Sequence, residues 1–500
     1  MLTPKEPRGA VILPFRRRDP GEPAPERDRD PVQVREDRVM ARYERAIDAI
    51  RTRIGTVDNI TEMIAKLEQE DPPDAATTLP TLYLVRSMRR ELDQDDAGAL
   101  ADAERALALA PDDVDALRTT AKLLKRCGEP GSLALLDHAA ETAPTDPGTY
   151  LARGELLAER GDHERAITNF RRALTLDSAS KAAHVALTKS FEALGRIDDA
   201  IAACTAALRL DPNNSGLRHT RALYHYDKGD IEGAIRDLDR AIKLRPNEPY
   251  WVADRAAAHA IAGRPQQAIA DYARAMQLEP DESDFPSMRS VLHLQASAFD
   301  LAIADLTIAI RLKPSFAPYY WRRAIVRHAN GDLVGAVADH EIAVAKDPED
   351  MSFRASLARC LFAADRTADA LNAVAEGLAR APDNVELLLD RAEILKRSGE
   401  DEAALASLVA AITAAPRAPE LHLAYGQRLF ERGAFAEAAA AASLSIALAP
   451  HNGEAWFCRA RSRSALRDAT GAEEDLKRAG EVGHARAIET LGKPPEERWT

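Results

Sequence analysis

The 500-residue chain has little of what most metal-binding and disulfide-stabilised proteins carry. It contains four cysteines, and aromatic side chains make up only 5% of it. Because no two cysteines form a CxxC pair, the sequence indicates neither a zinc site nor a disulfide framework. This usage is typical of a reducing compartment, so we expect a cytoplasmic protein with no cofactor and no metal ion.

Positive charge is also scarce, and the formal net charge is −13. Nucleic acid and anionic membrane surfaces would be repelled by the field of such a chain. The one apolar run near the start, "AVILPF", is too short for a signal-peptide core or a membrane span. We therefore expect neither nucleic-acid binding nor membrane insertion.

Catalytic motifs are missing as well. The sequence has no phosphate-binding glycine loop, no HExxH pair and no nucleophile elbow. These absences predict that the chain is not an enzyme.

What the sequence does have is a period of 34 residues. Prolines recur at this spacing, at Pro212, Pro246, Pro280, Pro314, Pro348, Pro382, Pro416 and Pro450. Alanines keep the same period from Ala166 to Ala472. A period this regular predicts a tandem array, and so one solenoid rather than several compact domains.

One unit can be written with its proline at position 32, as in "KAAHVALTKSFEALGRIDDAIAACTAALRLDPNN" (181–214). A first helix runs to the glycine at position 15, which can adopt the left-handed conformation that ends a helix. A second helix follows, often preceded by an N-capping aspartate such as Asp162, Asp230 or Asp332. Small residues at positions 8, 20 and 27 let the two helices approach closely.

This pattern closely resembles the tetratricopeptide repeat, over about 80–484 and some twelve repeats. The resemblance implies an all-α fold, a right-handed superhelical α-solenoid of helix-turn-helix units. It also implies that positions 2, 5, 9 and 12 of the first helices line a concave groove, where this family usually holds peptides.

The segments outside the repeats are short. We expect a disordered arm over 1–34, two capping helices and a linker over 35–79, of which 71–79 are the linker, and a capping helix and tail over 485–500. The arm contains "GAVILPFRRR" (9–18), which is either a ligand for a groove or a tail without a fixed partner.

Two positions vary together between the repeats. Where position 7 is arginine, position 23 is usually aspartate, and where position 7 is leucine or tyrosine, position 23 is alanine. The covariation predicts structural ion pairs between the two helices of a repeat. The pairs are Arg86 with Asp102, Arg221 with Asp237, Arg255 with Asp271, Arg289 with Asp305, Arg323 with Asp339, and Arg459 with Asp475.

Apolar and aromatic side chains occupy the groove positions of the middle repeats. They are either a binding site for apolar side chains of a partner or packing residues beneath another part of this chain. The candidate binding residues are Tyr226, Trp321, Arg322, Ile325, His328, Arg359 and Phe362.

Glutamates of the last repeats form an acidic strip, either for a basic partner or as a solvated face: Glu386, Glu393, Glu420, Glu431 and Glu454.

Histidines also recur along the repeats, at His225, His259 and His293, with a spacing of 34 residues. Helices of successive repeats lie roughly 10 Å apart, whereas zinc–imidazole bonds measure about 2 Å. We expect these histidines to pack rather than to bind a metal ion.

The sequence therefore predicts a non-enzymatic scaffold or adaptor that binds a peptide or protein in its groove. The alternative is a regulatory subunit that activates or inhibits a separate enzyme. The composition indicates no particular oligomeric state.

Overall fold

A computed structural model describes residues 56–70, 75–493 and 498. In this part of the chain there are twenty-six helices and no strand, so the predicted all-α class is confirmed. The helices are α1 Val57–Glu70, α2 Ala75–Leu92, α3 Asp96–Leu109, α4 Val114–Cys127, α5 Ser132–Thr142, α6 Pro147–Glu159, α7 His163–Leu176, α8 Lys181–Ala193, α9 Ile197–Leu210, α10 Ser215–Asp227, α11 Ile231–Leu244, α12 Pro249–Ile261, α13 Pro265–Leu278, α14 Asp284–Gln295, α15 Phe299–Leu312, α16 Ala317–Ala329, α17 Leu333–Lys346, α18 Met351–Ala363, α19 Thr367–Arg380, α20 Val385–Arg397, α21 Asp401–Ala414, α22 Pro419–Glu431, α23 Phe435–Leu448, α24 Gly453–Ala465, α25 Ala469–Glu481 and α26 Ala485–Leu491.

The contacts divide the chain into two units, with the boundary between Leu278 and Glu279. Within each unit, helices pack in pairs, and each pair is one repeat with a first and a second helix. Among the described residues, α2 to α25 form twelve such pairs, so that the eighth repeat, for example, is α16 with α17.

Short helices flank the array at both described ends. Helix α1 buries Ile60 and Ile64 against Tyr83 of the first repeat. Helix α26 packs Leu491 beside buried Ala487 and Phe457 of the last repeat. The arm over 1–34 and the first predicted capping helix lie outside the described residues.

The predicted linker over 71–79 is wrong in its second half. Helix α2 begins at Ala75, so 75–79 form the first turns of the first repeat rather than a connection. The alanine–threonine run after Asp74 includes good helix formers, and the helix continues through Pro80.

Alanine sets the distance between the paired helices. In the eighth repeat, Ala324, Ala336 and Ala343 at positions 8, 20 and 27 are fully buried. A larger side chain at any of these positions would push the two helices apart, because protein interiors are packed without spare volume.

The turn between the two helices has one feature in common in every described repeat, although the second repeat uses four residues for it, 128–131, and the others use three. Position 15 has a positive φ throughout, 84° at Gly331 and 72° at Gly263. Four repeats have a side chain in this left-handed conformation, at Gln94, Ser297, Asp365 and Arg467. The turn is therefore imposed by the packing of the helix pair and not by glycine alone.

Aspartates after the turn cap the second helices, as predicted. The side chains of Asp162, Asp230 and Asp332 accept hydrogen bonds from backbone N–H groups three residues ahead. Each cap satisfies a donor that the helix itself leaves free.

The arginine at position 7 of the eighth repeat connects three helices. Arg323 of α16 donates from Nε and Nη2 to the two carboxylate oxygens of Asp339 in α17, at 2.8 and 2.7 Å. Its Nη1 donates to Thr307 Oγ1 of α15, in the preceding repeat, at 3.0 Å. The same two-point bond joins the other five predicted pairs: Arg86 with Asp102, Arg221 with Asp237, Arg255 with Asp271, Arg289 with Asp305, and Arg459 with Asp475.

A second cation or a histidine, at position 11, also faces the aspartate in all six of these repeats. Arg327 Nη1 lies 2.9 Å from Asp339 Oδ2, and Arg463 Nη1 lies 2.9 Å from Asp475 Oδ2. In the first repeat Arg90 occupies this position. His225, His259 and His293 take it in the fifth to seventh repeats, with Nε2 at 3.6–4.0 Å from the aspartate.

Repeats without the aspartate have an apolar residue at position 11 as well. The ninth repeat has Leu357, Leu361 and Ala373 at positions 7, 11 and 23, and all three are buried. A charged cluster in six repeats and an apolar cluster in the ninth thus fill the same space between the helices, while Arg153 with Asn169 and Arg391 with Ser407 are intermediate cases.

Removal of the anion alone should destabilise this cluster. Asp339→Ala leaves the guanidinium of Arg323 without a carboxylate partner and leaves Arg327 with Asp332 alone, and we expect a loss of about 3 kcal/mol in unfolding free energy. Urea titration followed by circular dichroism measures the loss.

The matched variant copies the ninth repeat. Arg323→Leu, Arg327→Leu and Asp339→Ala together should recover at least half of the stability lost by Asp339→Ala alone. A triple variant less stable than the single one would show that the charged cluster cannot be replaced by an apolar one.

The turn position makes a second prediction. Ser297→Gly should raise the stability of the seventh repeat, and Gly331→Ser should lower that of the eighth, each by about 1 kcal/mol, because a side chain is strained in the left-handed conformation. Amide hydrogen exchange within each repeat measures both effects. If the two substitutions change the stability of their repeats in the same direction, the left-handed conformation is not the cause of the effect.

Candidate partner-binding surface

The candidate surface lies on the first helices of the eighth and ninth repeats. We call it the aromatic patch and define it by Trp321, Arg322, Ile325 and His328 of α16 with Arg359 and Phe362 of α18. All are half-buried except Arg359, which is exposed. The patch lies within the unit that begins at Glu279.

Trp321 is held between two neighbouring repeats. Its indole Nε1 donates to Ser356 Oγ at 3.0 Å, and its ring centroid lies 6.0 Å from that of Phe353. Both partners belong to α18. The indole therefore contributes to repeat-to-repeat packing in addition to any contact with a ligand.

Arg322 is anchored in the opposite direction. Its Nη1 donates to Ser287 Oγ of α14 at 2.8 Å. With Trp321, it connects the eighth repeat to both neighbours, so this end of the patch is rigid.

The remaining apolar side chains of the patch are less constrained. Phe362 packs partly against the core of the ninth repeat, and the guanidinium of Arg397 lies 5.9 Å from its ring centroid. Ile325 is one turn of α16 before His328. These side chains retain part of their surface in contact with water.

Sequence reasoning missed Asp390, which is mostly buried beside the patch. Its Oδ2 lies 3.4 Å from Arg359 Nε, and burial raises the pKa of this carboxyl to about 7, against the opposing effect of Arg359. An equivalent acid, Asp254 at position 6 of the sixth repeat, is 2.7 Å from His219 Nε2 of the repeat before it. The signal that could have identified Asp390 is an acidic residue at position 6 of a repeat whose preceding repeat has a basic residue in the groove.

Tyr226 lies in the other unit, on α10. It is half-buried, and burial raises the pKa of its phenol to about 12. The structure thus divides the predicted binding residues between two units and groups six of them in one.

Most of the acidic strip is already engaged within the chain. Arg359 binds Glu386, Arg397 binds Glu393, and Lys396 and Arg428 bind Glu431. Glu454 accepts hydrogen bonds from Gln427 and lies 2.6 Å from His484 Nε2. Glu420 is exposed. These local partners reduce the attraction of the strip for a basic ligand.

A buried histidine lies behind the patch. His340, on α17, is 2% exposed, and within the described residues its Nδ1 has no hydrogen-bond partner. Burial lowers its pKa to about 3, with contributions from His328 and Arg359. Leucine occupies the same repeat position at Leu238, Leu306, Leu408 and Leu476.

The structure describes no cluster of three or more histidine, cysteine or acidic side chains that could hold a metal ion. No helix in the described part of the chain is long and apolar enough to cross a bilayer.

His340 should make the chain sensitive to mild acid. Because its pKa in the folded chain is below the ordinary value of 6.5, the unfolded chain binds a proton there between about pH 6.5 and about pH 3 while the folded chain does not. Stability therefore falls as the pH falls through this window, by about 2 kcal/mol between pH 7 and pH 5 for this group.

Urea titrations at pH 7 and pH 5 measure the effect, with His340→Leu as the matched variant. This variant should lose less stability than the wild type on acidification. Equal losses in the two proteins would contradict the assignment of the neutral form to the folded state.

Comparisons with known proteins agree with this architecture. The tetratricopeptide repeat model matches residues 151–215, 219–283, 288–350, 356–419 and 389–453, and a second model of the same repeat matches 327–383. These matches span more than half of the chain. No curated protein matches the sequence.

Several solved structures are similar at low identity. YrrB, a TPR protein with an unusual peptide-binding site, is 21% identical over 39% of this chain and 97% of its own, with a TM-score of 0.34. MamA is 21% identical over 35% and 96%, with a TM-score of 0.33. Yeast Tom70 is 15% identical over 84% and 96%, with a TM-score of 0.41.

At these scores the solved structures carry no information about what this chain binds. The repeat period, the helix pairs and the extent of the family match together identify the chain as a member of the tetratricopeptide repeat family.

Proposed function

We propose that this chain is a non-enzymatic scaffold that binds an apolar segment of a partner protein at the aromatic patch. The observation that carries the proposal is the partial exposure of Ile325 and Phe362 on first helices whose opposite faces are buried. Apolar surface of this kind is stabilised when a partner removes it from water.

The rigid end of the patch suits this role. Trp321 and Arg322 are held by hydrogen bonds to neighbouring repeats, so little side-chain freedom is lost when a ligand contacts them. Aromatic and arginine side chains are also the usual anchors of protein interfaces.

Arg359 adds a polar edge to the patch. It is exposed, and its contacts are to Glu386 and to Asp390, whose pKa is about 7. A carboxylate of the ligand could therefore replace Asp390 as the partner of Arg359 when Asp390 is protonated.

Co-purification tests the proposal. The tagged full-length chain is expressed in its native cell, and bound proteins are quantified by mass spectrometry. Ile325→Ala with Phe362→Ala should reduce the amount of the main partner captured about thirtyfold, because we expect the two apolar anchors together to contribute about 2 kcal/mol. Trp321 is left intact, since its loss would disturb packing between repeats.

The matched control removes apolar volume elsewhere. Leu301→Ala with Leu444→Ala changes two exposed side chains on second helices and should leave capture unchanged. If the Ile325 and Phe362 variant stays folded by circular dichroism and still captures the partner in full, the patch is not the binding surface. A single enzyme in stoichiometric amount would favour the regulatory-subunit alternative over an adaptor.

A further inference from the structure

A pocket of about 370 Å³ lies between the first helices of the last three repeats, α20, α22 and α24, and extends to α26. Its apolar lining includes Leu389, Ala392, Ala424 and Phe457. The volume falls within the range of about 300–1,000 Å³ that ligand pockets usually have. The whole pocket lies within the unit that begins at Glu279.

The carboxylates around this pocket are not available to a basic ligand. Glu393, Glu431 and Glu454 line it, and each already has a cationic or hydrogen-bonding partner within the chain. A cationic ligand would have to compete with these partners, and it would also meet two further arginines.

Arg461 and Arg486 are those arginines, and both line the pocket. The guanidinium of Arg461 lies 4.2 Å from the ring centroid of Phe430, and such stacking uses the face of the group rather than its N–H donors. Both arginines are exposed, and within the described residues neither forms an ion pair.

We propose that this pocket binds an acidic segment of a partner in which an apolar side chain lies next to an aspartate or glutamate. The apolar side chain enters between α20 and α22, and the adjacent carboxylate pairs with Arg461 and Arg486. This inference rests on the proposed scaffold function but uses a surface separate from the aromatic patch.

Charge complementarity selects this occupant. The donors left free at the pocket are guanidinium groups, which bind carboxylates in two-point geometry. Nucleic acid offers anions too, but the net charge of −13 opposes a polyanion, whereas one or two carboxylates on an apolar segment are compatible with it.

A random dodecapeptide library displayed on phage is the probe. Peptides are selected on the immobilised full-length chain, with the Arg461→Gln and Arg486→Gln double variant used to remove peptides that bind elsewhere. The selected peptides should share a carboxylate next to a large apolar residue. They are then synthesised with acetylated and amidated ends, so that no terminal carboxylate contributes.

Affinity is measured by fluorescence anisotropy at low and high salt. The double variant should bind a selected peptide about tenfold more weakly, because it loses charged hydrogen bonds, and the wild-type affinity should fall as salt rises. Arg461→Lys with Arg486→Lys should recover only part of the loss, since lysine lacks the planar donor pair.

The matched control removes two positive charges elsewhere. Arg240→Gln with Arg311→Gln changes exposed arginines on second helices and should leave peptide affinity unchanged. If this control loses as much peptide affinity as the pocket variant does, the net charge of the chain explains the effect, and the proposal is overturned.

Two other outcomes also overturn it. One is the selection of peptides that are basic or lack a carboxylate, and the other is the absence of any peptide that distinguishes the wild type from the double variant. The Ile325 and Phe362 variant separates this result from the scaffold proposal, because it should retain peptide binding at the pocket. Suppose that the Ile325 and Phe362 variant loses partner capture, while no selected peptide binds at the pocket of the wild type. The scaffold proposal would then stand, and only the pocket proposal would be refuted.

Discussion

Close approach of the two helices in each repeat is the constraint on which the rest of the structure depends. Alanines such as Ala324, Ala336 and Ala343 are fully buried where the helices meet, so the helix backbones lie near each other. At that short distance an arginine at position 7 can reach both oxygens of an aspartate at position 23. The same arginine also contacts the preceding repeat, and the ion pair therefore helps to hold successive repeats together.

The buried carboxylate of the aspartate at position 23 has a complete set of hydrogen-bond donors. Asp339 is 1% exposed and accepts from two arginines, so no oxygen of the buried carboxylate is left without a donor. A buried charge with only part of its partners would be strongly destabilising. This explains why positions 7, 11 and 23 change together between repeats, and why the ninth repeat replaces all three with apolar side chains.

The same packing leaves one face of the first helices free to vary. Positions 9 and 12 differ from repeat to repeat: the eighth and ninth repeats place Ile325 and Phe362 there, whereas the tenth and twelfth place Glu393, Lys396 and Arg461. Substitution at these two positions alters recognition more than the fold, whereas Trp321 and Arg322, at positions 5 and 6, also hold neighbouring repeats together. One array can thus present different chemistry to different ligands along its length.

The sequence by itself determined the repeat period, the all-α class, the capping aspartates and the six arginine–aspartate pairs, because each depends on local spacing within one repeat. The same spacing places His225, His259 and His293 where Arg327 and Arg463 stand in other repeats, so the sequence also contains the signal that these histidines face the aspartate. Only the tertiary structure decided which groove charges are neutralised, as when Arg359 meets Glu386, or when His484 meets Glu454. These contacts join residues about one repeat apart, and their formation depends on how each repeat stacks on its neighbour, a geometry that spacing along the chain does not specify.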